Sequence, residues 1–91
     1  MVQKFLLAQK SERRSWYIIA QDCVIPIAIL DEAEHKRWAS LPGGPTHSLH
    51  RGDKIRLLGS LVGFGYEVQL GDEQGEHVWI KPRDMGKISV E

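Results

Sequence analysis

The sequence predicts a mainly β fold, a small barrel with an N-terminal β-hairpin and one short helix, and three observations carry that reading. From Lys54 onward, apolar and polar residues alternate in short runs separated by turns rich in Gly, Pro and Asp. Only residues 31–41 carry both a helix start and a helix stop. The chain has 91 residues, enough for one core and too few for two, so residues 1–91 are read as a single domain.

The first thirty residues read as strands. Lys4 to Ala8 is a short apolar run, and Trp16 to Ala20 is aromatic and β-branched. The charged segment Ser11-Glu12-Arg13-Arg14 joins them as an exposed loop. Val24 to Leu30 is a third strand, with Pro26 confined to an edge or a bulge because it has no N–H to donate. Asp31 then caps a helix, with Glu34 three residues on as a capping box requires. Acidic Glu32 and Glu34 open it, Lys36 and Arg37 close it, and Pro42-Gly43-Gly44-Pro45 stops it. Its apolar positions, Leu30, Ala33, Trp38 and Leu41, fall near one face, and so short a helix needs that face packed onto the sheet.

Residues 47–90 read as the barrel strands. Lys54 to Leu58 is a strand and Gly59 to Gly65 a glycine-rich loop. In Tyr66 to Leu70, residues 66, 68 and 70 face inward while Glu67 and Gln69 face outward. Gly71 to Gly75 is a hairpin loop, Glu76 to Lys81 a strand with Val78 and Ile80 inward, Pro82 to Gly86 a turn, and Lys87 to Val90 a last strand.

The segments Ser48-Leu49-His50-Arg51-Gly52-Asp53-Lys54-Ile55-Arg56-Leu57-Leu58 and Gly75-Glu76-His77-Val78-Trp79-Ile80, the latter followed by Pro82-Arg83-Asp84-Met85, resemble the SH3 family and its bacterial SH3-like relatives over about half the chain. The first looks like the diverging turn and second strand of that family, the other like its later strand and the short turn after it. Ala28-Ile29-Leu30-Asp31 stands where the family's opening segment lies, but without its tyrosines, and Met85 replaces the closing tyrosine. The resemblance therefore implies the barrel and not the family's proline-rich ligand.

Composition limits the function classes. Hydrophobic residues make up 42% and charged residues 26%, ordinary for a globular chain. Twelve Lys and Arg balance twelve Asp and Glu, which argues against a dedicated phosphate-backbone binder. The lone cysteine, Cys23, forms no internal disulfide. No secretory signal or membrane-length apolar run is visible, so a cytoplasmic protein without membrane contact is expected.

Trp79 is the most informative residue. It shares the outer face of its strand with His77 and Lys81, and an outward tryptophan among polar residues is a binding anchor unless residues 1–45 fold over it. With Tyr66 and with Phe64 from the glycine-rich loop, it makes the expected partner-binding set Trp79, His77, Lys81, Tyr66 and Phe64. Trp38 and one of Trp16 and Tyr17 are expected in the core. His47 and His50 read as exposed loop histidines, because His35, His77 and Cys23 stand at no metal-site spacing from them, and Cys23 reads as a buried, inert thiol. The glycine-rich loop lacks the Lys and Ser/Thr of a phosphate loop. The expectation is a non-catalytic protein–protein interaction module without cofactor or metal, able to pair as a homodimer through exposed edges. The alternative is a KOW- or Tudor-like barrel that binds nucleic acid through Arg13, Arg14, Lys54 and Arg56.

Overall fold

The computed structural model describes residues 2–9, 14–40 and 42–91. In chain order they form β1 (Gln3–Lys4), α1 (Phe5–Ala8), β2 (Tyr17–Ile18), β3 (Cys23–Pro26), α2 (Glu32–Ala39), β4 (Thr46–Leu49), β5 (Lys54–Leu61), β6 (Gly65–Leu70), β7 (His77–Ile80), α3 (Pro82–Met85) and β8 (Ser89–Val90). The fold is mostly β, as the alternating runs require. The predicted turn at 82–86 proves to be a one-turn helix with Pro82 in its first turn, where the missing N–H costs nothing.

Among the described residues three antiparallel sheets form, and they do not close into a barrel. One has the order β2-β5-β6-β7; β1 pairs with β8, and β3 with β4. Two single-residue bridges join them in succession: Ile19 with Val90 ties the end of β2 to β8, and Ala28 with Trp79 ties the outer edge of β7 to the segment after β3. Pro26 sits opposite Thr46 at the end of the β3–β4 ribbon, an edge position as its missing donor demands.

The N-terminal half departs most from expectation. The expected strand Lys4 to Ala8 keeps only Lys4, in β1; Phe5 to Ala8 is helical and makes no hairpin with Trp16 to Ala20. The chain turns helical at Phe5 because Phe5 and Ala8, three residues apart, can then both reach the core, leaving Leu7 exposed. The Phe5 N–H donates to the Ile88 carbonyl, and the Phe5 ring meets Tyr17 edge-on at 5.8 Å between centroids. β2 finds its partner in β5 instead, with Tyr17 opposite Ile55. His47 to Leu49, read as a loop, belongs to β4.

The helix appears where predicted, over Glu32–Ala39 with Asp31 as its cap. The Asp31 carboxylate accepts the Glu34 N–H at 2.8 Å, and Lys36–Glu32 and Arg37–Glu34 pair along the surface at 3.4 and 3.6 Å. The packing face is narrower than expected: α2 has no fully buried residue, Leu30 is exposed, and Trp38 alone packs half-buried against the core. Leu41 lies outside the described residues. Loss of the cap in Asp31→Ala should therefore fray α2 locally. Amide exchange in 32–39 is expected to speed up about fivefold, the equivalent of about 1 kcal/mol, with the global unfolding midpoint nearly unchanged. A large drop in that midpoint would show that α2 is part of the core.

The core lies between the four-stranded sheet and the N- and C-terminal segments. Ile19, Ile55, Val68 and Ile80 meet Phe5, Met85 and Ile88 there, all fully buried. Gln69, expected to face solvent, is only 3% exposed. It does point off the outer face, but its side chain is covered: its amide donates to the Glu73 carbonyl at 3.0 Å, and its oxygen accepts twice from Arg56, at 3.0 and 2.7 Å. A satisfied amide can be buried where an unpaired one cannot.

Candidate functional site

The outer face of β7 carries the candidate site. Val78 and Ile80 point inward at 3% and 0% exposure, which puts His77 and Trp79 on the opposite face. Trp79 is half-buried. Its cover is Phe64, which meets it edge-on with ring centroids 5.6 Å apart and planes at 80°. The segment after β3 meets β7 at the strand edge, where the Ala28 N–H donates to the Trp79 carbonyl.

Phe64 is placed there by the β5–β6 hairpin. The predicted loop from Gly59 to Gly65 is mostly strand: β5 runs on to Leu61, and Gly63, at φ 80°, makes the tight turn that returns the Phe64 N–H to the Leu61 carbonyl. Val62 stands at the tip, fully exposed, with Leu61 beside it at 48%. Gly65 then brings β6 so close to β7 that a Cβ would overlap the Ile80 carbonyl oxygen. Beside Phe64, a shallow cleft of about 390 Å³ is lined by Gly63, Phe64, Lys81, Pro82 and Arg83. The result is an apolar ridge of Leu61, Val62, Phe64 and Trp79 flanked by two exposed cations.

The other expected residues divide. Lys81 borders the ridge. His77 is turned toward Glu67, the residue that stands opposite Trp79 on β6, with Nδ1 to Oε2 at 3.5 Å. Tyr66 stands on the opposite face, paired with Ile80 and packed against the core. It lines a second cleft, of about 610 Å³, together with Leu6, Gln9, Arg14 and Leu57 to Ser60. Sequence reasoning missed Val62 and Arg83. An apolar pair between two glycines, followed by Phe64, was the available signal for a hairpin tip.

The basic residues of the nucleic-acid alternative are mostly engaged within the fold. Arg56 is fixed on Gln69 and stacks on Trp16, its guanidinium carbon 4.7 Å from the ring centroid. Arg14 donates to the Leu58 carbonyl at 3.1 Å. Lys54 is exposed, and Arg13 lies outside the described residues. Compared with protein-family models, curated proteins and solved structures, the chain finds no match in any of the three.

The histidines separate as well. His47 lies edge-on to Trp38 and 4.0 Å from Glu76, while His50 lies 3.7 Å from Asp53. Among the described residues, no group of three or more His, Cys, Asp and Glu side chains comes together. No helix among them is long and apolar enough to cross a membrane. Cys23 sits half-buried in β3, where burial first and the neighbouring Asp22 carboxylate second push its thiol pKa up. A raised pKa leaves less thiolate at a given pH. Dithiobis-nitrobenzoate at pH 8 is thus expected to react with folded Cys23 more slowly than with the urea-unfolded chain; equal or faster reaction would mark an activated thiol.

Proposed function

We propose that this chain is a non-catalytic protein-interaction module with an SH3-like arrangement of strands, and that it binds its partner through the Phe64–Trp79 ridge. The observation that carries this reading is the ridge itself. A half-buried Trp–Phe pair continues into an exposed hairpin tip, bordered by Lys81 and Arg83. Clustered aromatic anchors with a polar rim are the usual composition of a protein-binding hot spot. A partner of matching chemistry has an apolar centre and an acidic rim.

The SH3-like reading draws support from the succession β5-β6-β7, the one-turn helix α3, and a last strand returning to the first, with bridges at Ile19–Val90 and Ala28–Trp79. Met85, at the place of the family's closing tyrosine, is fully buried. It serves the core, in keeping with a ligand other than a proline-rich helix. The nucleic-acid alternative has less support, because Arg56 is fixed on Gln69 and stacked on Trp16 and basic and acidic residues balance over the chain.

The test is capture of partners by the tagged chain from a lysate of its source organism, with and without nuclease, using wild type and Trp79→Ala in parallel. Partners that survive nuclease and disappear with Trp79→Ala are expected. Partners lost to nuclease and indifferent to Trp79 would move the reading to nucleic acid.

A further inference from the structure

A second binding element lies on the other side of the sheet. β5 has eight residues, but β2 pairs only with Lys54 and Ile55. Among the described residues, no strand lies against the outer edge of β5 beyond that point, and an uncovered edge presents main-chain N–H and C=O groups to any extended chain. The 610 Å³ cleft opens along this stretch, with Leu57, Leu58, Gly59 and Ser60 as one wall and Leu6, Gln9 and Tyr66 among the others.

Two side chains make this cleft more than a gap. Gln9 is only 5% exposed, yet neither its amide nitrogen nor its amide oxygen has a hydrogen-bond partner. Buried polar groups are ordinarily paired, and an amide left with neither donor nor acceptor satisfied is an unmet demand for a peptide-like group. Arg14 is held at φ 62°, a left-handed conformation that a side chain other than glycine rarely adopts. Its guanidinium reaches the Leu58 carbonyl with one nitrogen, and the group as a whole is exposed at the mouth of the cleft. A guanidinium has donors to spare beyond a single carbonyl, and a carboxylate is the group its fork matches. Strained residues at a cleft point to binding because the strain has to be offset by something the conformation supplies.

We infer that this edge of β5 takes an extended peptide bearing a carboxylate: its main chain pairs along Leu57 to Ser60 beside the Leu58 carbonyl that Arg14 already holds, its carboxylate meets the remaining donors of Arg14, and one of its amide groups satisfies Gln9. Main-chain pairing supplies affinity in such strand addition, and side-chain contacts supply selectivity. This site is independent of the Phe64–Trp79 ridge, since Tyr66 and Trp79 point to opposite faces of the sheet.

The probe is a displayed library of random peptides, selected on the whole folded chain, with recovered peptides synthesised and titrated into ¹⁵N-labelled protein. Recovered peptides are expected to contain Asp or Glu within a β-branched run. Their binding should shift the amides of Leu57 to Ser60 together with the Gln9 side-chain NH₂. Changing the peptide's carboxylate to its amide is expected to weaken binding about tenfold, as is Arg14→Gly, which also relieves the left-handed strain and keeps the fold. Trp79→Ala should leave this affinity unchanged. Shifts confined to Val62, Phe64, Trp79 and Lys81 would overturn the site while favouring the ridge. Recovery of no peptide, or concentration-dependent self-association through the same β5 amides, would overturn the peptide assignment.

Discussion

Phe5→Ala is expected to cost about 3–5 kcal/mol of stability, the usual loss when a fully buried phenylalanine is truncated. Phe5 has no exposed surface, lies edge-on to Tyr17, and holds α1 against Ile88 through its own N–H. A domain of this size has about 5–15 kcal/mol in total, so the variant should unfold at a much lower urea concentration or fail to fold. The consequence reaches beyond one cavity. The N-terminal residues pair with β8 and pack against Tyr17 and Ile88, and so are part of the core. A loss below about 1 kcal/mol would instead describe a peripheral arm.

Gly65→Ala should be the most damaging glycine substitution on the face that carries Phe64 and Trp79, at about 1–3 kcal/mol. The obstacle is main chain: the new methyl would meet the Ile80 carbonyl oxygen and the Ile80 carbonyl carbon behind it, and β6 or β7 must move to admit it. Either movement disturbs Phe64 and Trp79 together. Gly59→Ala is the control, because nothing lies within 4 Å of a Cβ placed there, and it should change stability by less than about 0.5 kcal/mol. Equal effects at the two positions, read from urea midpoints, would contradict the close approach of β6 and β7.

What could be read from the sequence was what local chemistry decides. Alternation at Val78 and Ile80 correctly placed Trp79 on the outer face. Asp31 and Glu34 correctly marked the start of α2, the longest helix among the described residues. What escaped were choices settled by distant partners. Phe5 belongs to a helix because Ile88 and the core wait for it, and nothing in Lys4 to Ala8 reveals a contact more than eighty residues away. His47 to Leu49 pairs with β3 across α2 and its loop, a long-range match that short polar runs do not announce. Gln69 reads as solvent-facing until Arg56 and the Glu73 carbonyl close around it. Of the expected set, Trp79, Phe64 and Lys81 lie close together on the outer side, whereas strand parity puts Tyr66 on the inner face with Ile80.

The proposed role of the ridge in protein binding is tested by the calorimetric affinity of the captured partner for wild type and for Trp79→Ala, with melting temperatures recorded for both. A loss of about thirtyfold or more is expected, the equivalent of a hot-spot residue at about 2 kcal/mol, with the variant still folded. Equal affinities in two folded proteins would contradict it and remove Phe64 and Trp79 from the binding surface.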